Sequence, residues 1–208
     1  MLNHGDLFPY RRYMTQHSCI FVHVPKAAGT SVLTALSKPG QQIRRDHCTA
    51  IDFLRADRKA FEASYKFAFV RHPVSRLYSA FQYLLTGGNG TTDAQIAKTL
   101  NDQYPTFELF VIQYLTPQML HSHLLLRPQF AFLCDENLNI MVDYIGKFER
   151  LSGDFEVIQK RLKLSQGVPH VNKGKADKSK ETISPEVIQR IQTLYQLDFE
   201  IFDYAMEG

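Results

Sequence analysis

Residues 20–32 read IFVHVPKAAGTSV. The apolar run from Ile20 to Val24 meets a proline, passes through small residues, and enters a stretch with helical character from Thr30. A nucleoside-triphosphate P-loop has the order G-x-x-x-x-G-K-[ST], with lysine after the last glycine. Here Lys26 precedes Gly29 and no glycine opens the loop. With a central strand before the turn and a helix from Gly29, the amides of Ala27, Ala28, Gly29, Thr30 and Ser31 point toward one spot. A helix N-terminus offers unpaired N–H groups and a positive dipole end, so an anion is favoured there. Small side chains allow close approach, the two hydroxyls add donors, and Lys26 reaches over from the strand side. The competing reading is a tight turn whose hydroxyls only cap the helix.

The pattern repeats. Lys66-Phe-Ala-Phe-Val70 is a second apolar run, again followed by a proline turn and a helical stretch, Val74 to Leu85. Such runs fit strands buried on both faces, as in parallel sheets. The alternation predicts an α/β fold with a central, largely parallel sheet flanked by helices. A short strand is expected at Ile43, a helix over 49–64, two helices near 93–100 and 106–115, a strand within 139–148, and a helix over 154–162. The last helix has Ser184 as N-cap, Pro185 at its first position and an apolar stripe of Val187, Ile188, Ile191, Leu194 and Tyr195. No repeat or linker divides the 208 residues, so one domain over 1–208 is expected.

Composition narrows the class. Hydrophobic residues are 44% and charged residues 22%, as in ordinary globular proteins. Lys plus Arg is 24 and Asp plus Glu 21, a formal charge of +3, which is too mild to imply nucleic acid. No apolar run is long enough to span a membrane, and the N-terminus lacks the features of a signal peptide. The three cysteines, Cys19, Cys48 and Cys134, are far apart and odd in number, which suggests a reducing compartment and no zinc site. Lysines 173, 175, 178 and 180 fall in the polar stretch VNKGKADKSK, readable as a solvated loop or as a basic flap over an anion.

The second turn reads FVRHPVSRLYSAFQYL. Arg71 ends the strand, and Arg76, Ser79 and Tyr83 share one helical face at i, i+3 and i+7. Ligands of open α/β sheets bind at the carboxyl edge of the strands. An arginine fork with a serine hydroxyl suits a terminal phosphate. Two anion-reading turns imply a ligand with two separated anionic groups.

At these residues a resemblance becomes specific. HVPKAAGTSV is similar to the 5′-phosphosulfate loop of sulfotransferases that use 3′-phosphoadenosine 5′-phosphosulfate (PAPS), and RHPVSRLYSAF resembles their 3′-phosphate motif, R-x-P-x-x-R-x-x-S-x-F, at every fixed position. Weaker similarity continues through LRPQFAFL, VDYIGKFERLSGDF and PHVNKGK, and is greatest toward Golgi carbohydrate and bacterial members, heparan 2-O-sulfotransferases among them. The resemblance implies the P-loop-NTPase-like sulfotransferase fold. It also implies PAPS as donor, PAP as product, no metal, and a hydroxyl acceptor, expected to be carbohydrate. It places Lys26 at the bridging oxygen and Ala28 to Ser31 at the 5′-phosphate. Arg71 and Ser79 fall at the 3′-phosphate, Arg76 there or pinning the loop, and Asn172, Lys173 and Lys175 in a late loop beside the donor. A cytoplasmic protein of bacterial type is expected, or a Golgi-lumenal one if the chain is a trimmed relative of the anchored enzymes.

Sulfuryl transfer needs an in-line acceptor hydroxyl and a base for its proton. His47, in RRDHCTAIDFL, is the candidate base, since it precedes a helix at the same expected sheet edge and titrates near neutrality. The competing reading is a histidine bonded to backbone. His23 reads as structural, and His121 and His123 as an H-x-H pair with no supporting ligands. Arg127 is a candidate for gripping the acceptor, although Leu125 stands where relatives often carry histidine. Tyr10, Arg11 and Arg12 are further candidates for the acceptor cleft. A thiol nucleophile at Cys48 lacks an evident activating group. The alternatives to a sulfotransferase are a small P-loop kinase using ATP and magnesium, or a non-catalytic module that binds nucleotide or polyanion.

Overall fold

The computed structural model describes residues 8–38, 44–90, 93–168 and 183–206. In chain order come α1 (Arg12–His17), β1 (Cys19–Val22), α2 (Gly29–Leu36), α3 (Ala50–Ala56), α4 (Arg58–Ala63) and β2 (Tyr65–Val70). Then follow α5 (Pro73–Leu85), α6 (Ala94–Gln103), α7 (Phe107–Leu109), α8 (Pro117–Ser122) and α9 (Phe130–Leu133). The chain continues with β3 (Tyr144–Lys147), α10 (Leu151–Leu162), α11 (Pro185–Leu194) and α12 (Gln196–Ile201). The chain divides into two compact units, Met1–Arg71 with Gln129–Asn172 and His72–Pro128 with Lys173–Gly208.

The first unit holds the sheet, a three-stranded parallel one in the order β1-β2-β3. Cys19 pairs with Tyr65 through to Val22 with Ala68, and Phe67 pairs with Tyr144 through to Val70 with Lys147. All of β1 and the last four residues of β2 are buried, as the apolar runs require. Gly146 lets β3 close on β2, because a Cβ there would come within 2.4 Å of the Phe69 ring. β1 stops at Val22, short of the expected Val24; Pro25 has no N–H for a ladder, and the chain turns toward it.

Two expectations change here. The helix expected over 49–64 is broken at Asp57, whose extended backbone (φ −157°) ends α3 and whose carboxylate accepts from the Ala60 N–H at 3.0 Å to start α4. Residues 44–49 form no strand, and Ile43 lies outside the described residues.

The second unit is helical. α5 buries Leu77, Ala80, Phe81 and Leu84, the i, i+3, i+4, i+7 stripe, against Phe107, Phe110 and Val111 and against Val187, Ile191 and Tyr195 of and beside α11. Thr106 caps α7, and the helix then widens to a π-turn over Phe110–Tyr114, where Leu115 N–H donates to the Phe110 carbonyl at 2.8 Å. Arg76 is fully buried inside this unit. Its guanidinium donates to the carbonyls of Arg127 (2.8 Å) and Leu125 (3.3 Å) and lies over the Tyr195 ring. Tyr195 in turn donates from its hydroxyl to the Leu126 carbonyl at 2.7 Å. One cation thus bonds carbonyls at both ends of the 125–127 turn.

Arg76→Met removes two bonds and strands two carbonyls in an apolar interior. We expect a loss of about 2–5 kcal/mol, read as a lower urea midpoint with an unchanged m-value.

Candidate active site

The first βα turn is built under strain. Lys26 (φ 66°) and Ala28 (φ 68°) both occupy the left-handed region without being glycine. Such positions cost of order 1–3 kcal/mol each and persist where the surroundings over-determine them, typically at ligand clamps. Left-handed residues alternating along a turn direct successive N–H groups into one concavity, a shape that suits an anion. Ala28 is also the N-cap of α2 and contributes no side-chain cap, so the first amides of the helix gain nothing from it. Ala27 is buried; Ser31 is half-buried and Thr30 exposed.

Gly29 has a different task. A Cβ there would fall 1.6 Å from Nε2 of His23, so only glycine lets α2 start this close to the end of β1. His23 is 6% exposed, as a structural histidine should be. Burial first, and then the neighbouring His47, push its pKa down to about 3, so the ring is neutral.

His47 stands directly behind this ring, with centroids 4.1 Å apart. Its Nδ1 lies 2.9 Å from the His23 carbonyl oxygen. A carbonyl only accepts, so Nδ1 carries the proton and Nε2 keeps its lone pair. Burial lowers the His47 pKa from its ordinary 6.5; the His23 carbonyl and Asp46 push back, and Arg45 adds to the lowering. The bond that fixes the His47 ring therefore also selects Nε2 as the nitrogen that keeps its lone pair. The coil that carries it is tied on both sides. Arg11 Nε donates to Asp46 at 2.6 Å, and Thr49 forms a reciprocal capping box with Asp52 at the start of α3. Arg11 thus holds the histidine loop, and Tyr10 donates to the carbonyls of Phe53 and Asp57, both at 3.0 Å.

Cations converge at the same edge. Burial lowers the Lys26 pKa, and Arg71 and Arg45 lower it further. Arg45 also lowers both histidines, so Lys26, His23 and His47 share one positively charged neighbourhood. Arg45 was not singled out from the sequence, although the RRDH run carried the signal. Arg71 follows the last residue of β2 and rests on the Phe148 ring, with Cζ 4.3 Å from the centroid.

Ser79 is half-buried on α5 in the second unit. Arg127, also in the second unit, donates to the His121 carbonyl at 3.4 Å. Asn172, Lys173 and Lys175 lie outside the described residues. His123 pairs with Asp93 at 3.3 Å. Among the described residues no group of three or more His, Cys, Asp or Glu is placed to hold a metal ion. The Cys48 thiol is pushed up to about 11, chiefly by burial, so it stays protonated at neutral pH. Among the described residues no helix is long and apolar enough to cross a membrane.

Fold and turn together define a class: a parallel α/β protein whose first βα turn is shaped and charged for an anion. The sulfotransferase family profile matches residues 12–205, and the chain belongs to that family; it is a PAPS-dependent sulfotransferase. No curated protein and no solved structure matches the chain significantly.

The buried histidines set a pH signature. His23 binds its proton near pH 3 when folded but near 6.5 when unfolded. Unfolded chains therefore hold more protons in that window, and stability falls as pH drops through it. We expect urea midpoints to decline from pH 6.5 to 4, and the decline to be shallower in His23→Leu; an equal slope would contradict a neutral buried His23.

Proposed function

We propose that the chain moves a sulfuryl group from PAPS to a carbohydrate hydroxyl, with His47 as general base and Lys26 as the cation at the leaving phosphate. The observation that carries this is the His47–His23 bond, which leaves Nε2 as a neutral acceptor in a neighbourhood shared with Lys26 and Arg45. The family match through both units supports reading them as one sulfotransferase domain.

The residues present fit the donor: a turn with left-handed backbone at Lys26 and Ala28, a lysine in that turn crowded by Arg71 and Arg45, and an arginine at the next strand end suit a nucleotide charged at two places. PAPS supplies an activated sulfuryl group and a phosphate leaving group. The amides of Ala27 to Ser31 hold the 5′-phosphate. Lys26, crowded by two arginines, is favoured in its charged form by a neighbouring anion and stabilises the charge that grows as the sulfuryl bond breaks. Arg71 grips the 3′-phosphate, with Ser79 as its hydroxyl partner on the strength of the motif. Nε2 of His47 takes the proton of the acceptor hydroxyl. Arg127, Asn172, Lys173 and Lys175 enter on sequence position, the first toward the acceptor and the others toward the donor.

Calorimetry with PAP and with ATP, followed by labelled PAPS against a panel of polysaccharides and simple alcohols, tests the reading. Tighter binding of ATP would sink it. Lys26→Ala should lower kcat by about 10²–10³ with PAP affinity little changed. His47→Ala should lower kcat by about 10²–10⁴ with PAP still bound, and wild-type rates in it would remove the base. Because His47 is neutral above a lowered pKa, the acid limb of kcat/KM should lie below pH 6.5.

A further inference from the structure

The first loop arranges its own amides, but Arg71 sits where the sheet has ended. β1 contributes no partner beyond Ala68, and β3 none beyond Val70. A backbone N–H and C=O just past a ladder need partners from somewhere. Both come from one side chain. Gln129 Oε1 accepts from the Arg71 N–H at 2.9 Å, and Gln129 Nε2 donates to the Arg71 carbonyl at 2.8 Å. The amide acts as one further rung of a strand. Its orientation is fixed, since the reverse would set donor against donor. Gln129 is fully buried, so no water competes for either bond.

The guanidinium has a support of its own. β3 pairs Val70 with Lys147 as the last pair of the ladder, so the residues just past the two strands are Arg71 and Phe148. The register therefore lays the arginine head on the phenyl face, at 4.3 Å. One residue thus fixes the backbone of Arg71 and another fixes its head. They come from separate places in the chain, one just before α9 and one just after β3.

We propose that Gln129 and Phe148 are positioning residues that preset Arg71 for the 3′-phosphate of the donor, and so set preference for a 3′-phosphorylated nucleotide. The inference rests on Arg71 reading that phosphate. A free arginine loses rotamer entropy on binding, which a held one need not lose. A positioning role predicts an effect confined to the 3′-phosphate, whereas a merely structural role would weaken all nucleotides alike.

The test measures Kd for PAP and for AMP, which differ only in that phosphate, in wild type, Phe148→Leu, Gln129→Met and Arg71→Ala. Phe148→Leu should weaken PAP about 3- to 30-fold and leave AMP unchanged. Gln129→Met should weaken PAP at least about tenfold, again sparing AMP. Phe148 is only half-buried, so its variant decides the matter if Gln129→Met does not fold. Parallel losses for PAP and AMP, or none for either, in folded Phe148→Leu would overturn the proposal. Arg71→Ala separates the two levels. If it leaves the PAP-to-AMP ratio intact, the reading of Arg71 fails and the positioning proposal with it. If it collapses the ratio while the other variants do not, only the positioning role fails.

Discussion

Parallel pairing of β2 with a strand on each side is the constraint from which the active edge follows. In a parallel sheet all strands end on the same side, and their side-chain register is locked from neighbour to neighbour. His23 and the strained turn follow β1, Arg71 follows β2, and Phe148 follows β3. Gly146 is part of the same constraint, since any larger residue would drive Phe69 away and open the β2–β3 pair. A slip of one residue between β2 and β3 would put Arg71 beside Lys147 or Glu149 in place of the phenyl ring.

Electrostatics turns that edge into a place for anions. Burial, and then Arg71 and Arg45, raise the cost of carrying charge at Lys26. A cluster of like charges of this kind is unfavourable until something negative joins it. An anion beside Lys26 would relieve that penalty, which is what the proposed donor site asks of it. The left-handed backbone at Lys26 and Ala28 works in the same direction.

What the sequence reveals follows from how local each feature is. The strand-turn-helix units and α11 are written in neighbouring residues: apolar runs, prolines, and a stripe at helical spacing. The break at Asp57 was missed because a carboxylate inside a helical pattern reads as surface until its capping bond to Ala60 is seen. The π-turn after α7 was missed because an i+5 bond has no spacing signature of its own. His47 was legible as a residue and not as an arrangement; the expected strand before it is absent from 44–49, where ties from Arg11 and Asp52 hold a coil. Gln129 stands within LRPQFAFL, yet its bonds to Arg71 span 58 positions, and no local pattern records a contact at that distance.

The partner chosen for His47 has a chemical consequence. A carboxylate on Nδ1 would favour the imidazolium and hold the proton before any hydroxyl arrived. The His23 carbonyl orients the ring and selects its tautomer with a neutral group. The nearest acid, Asp46, does pull the pKa upward, but its carboxylate is already engaged by Arg11 at 2.6 Å. Burial and Arg45 then prevail, and the ring rests neutral. Once Nε2 has taken a proton, the same carbonyl bond becomes charge-assisted and stronger. The support therefore grows as charge develops on the imidazole, which is the differential stabilisation that the general-base role proposed for His47 requires.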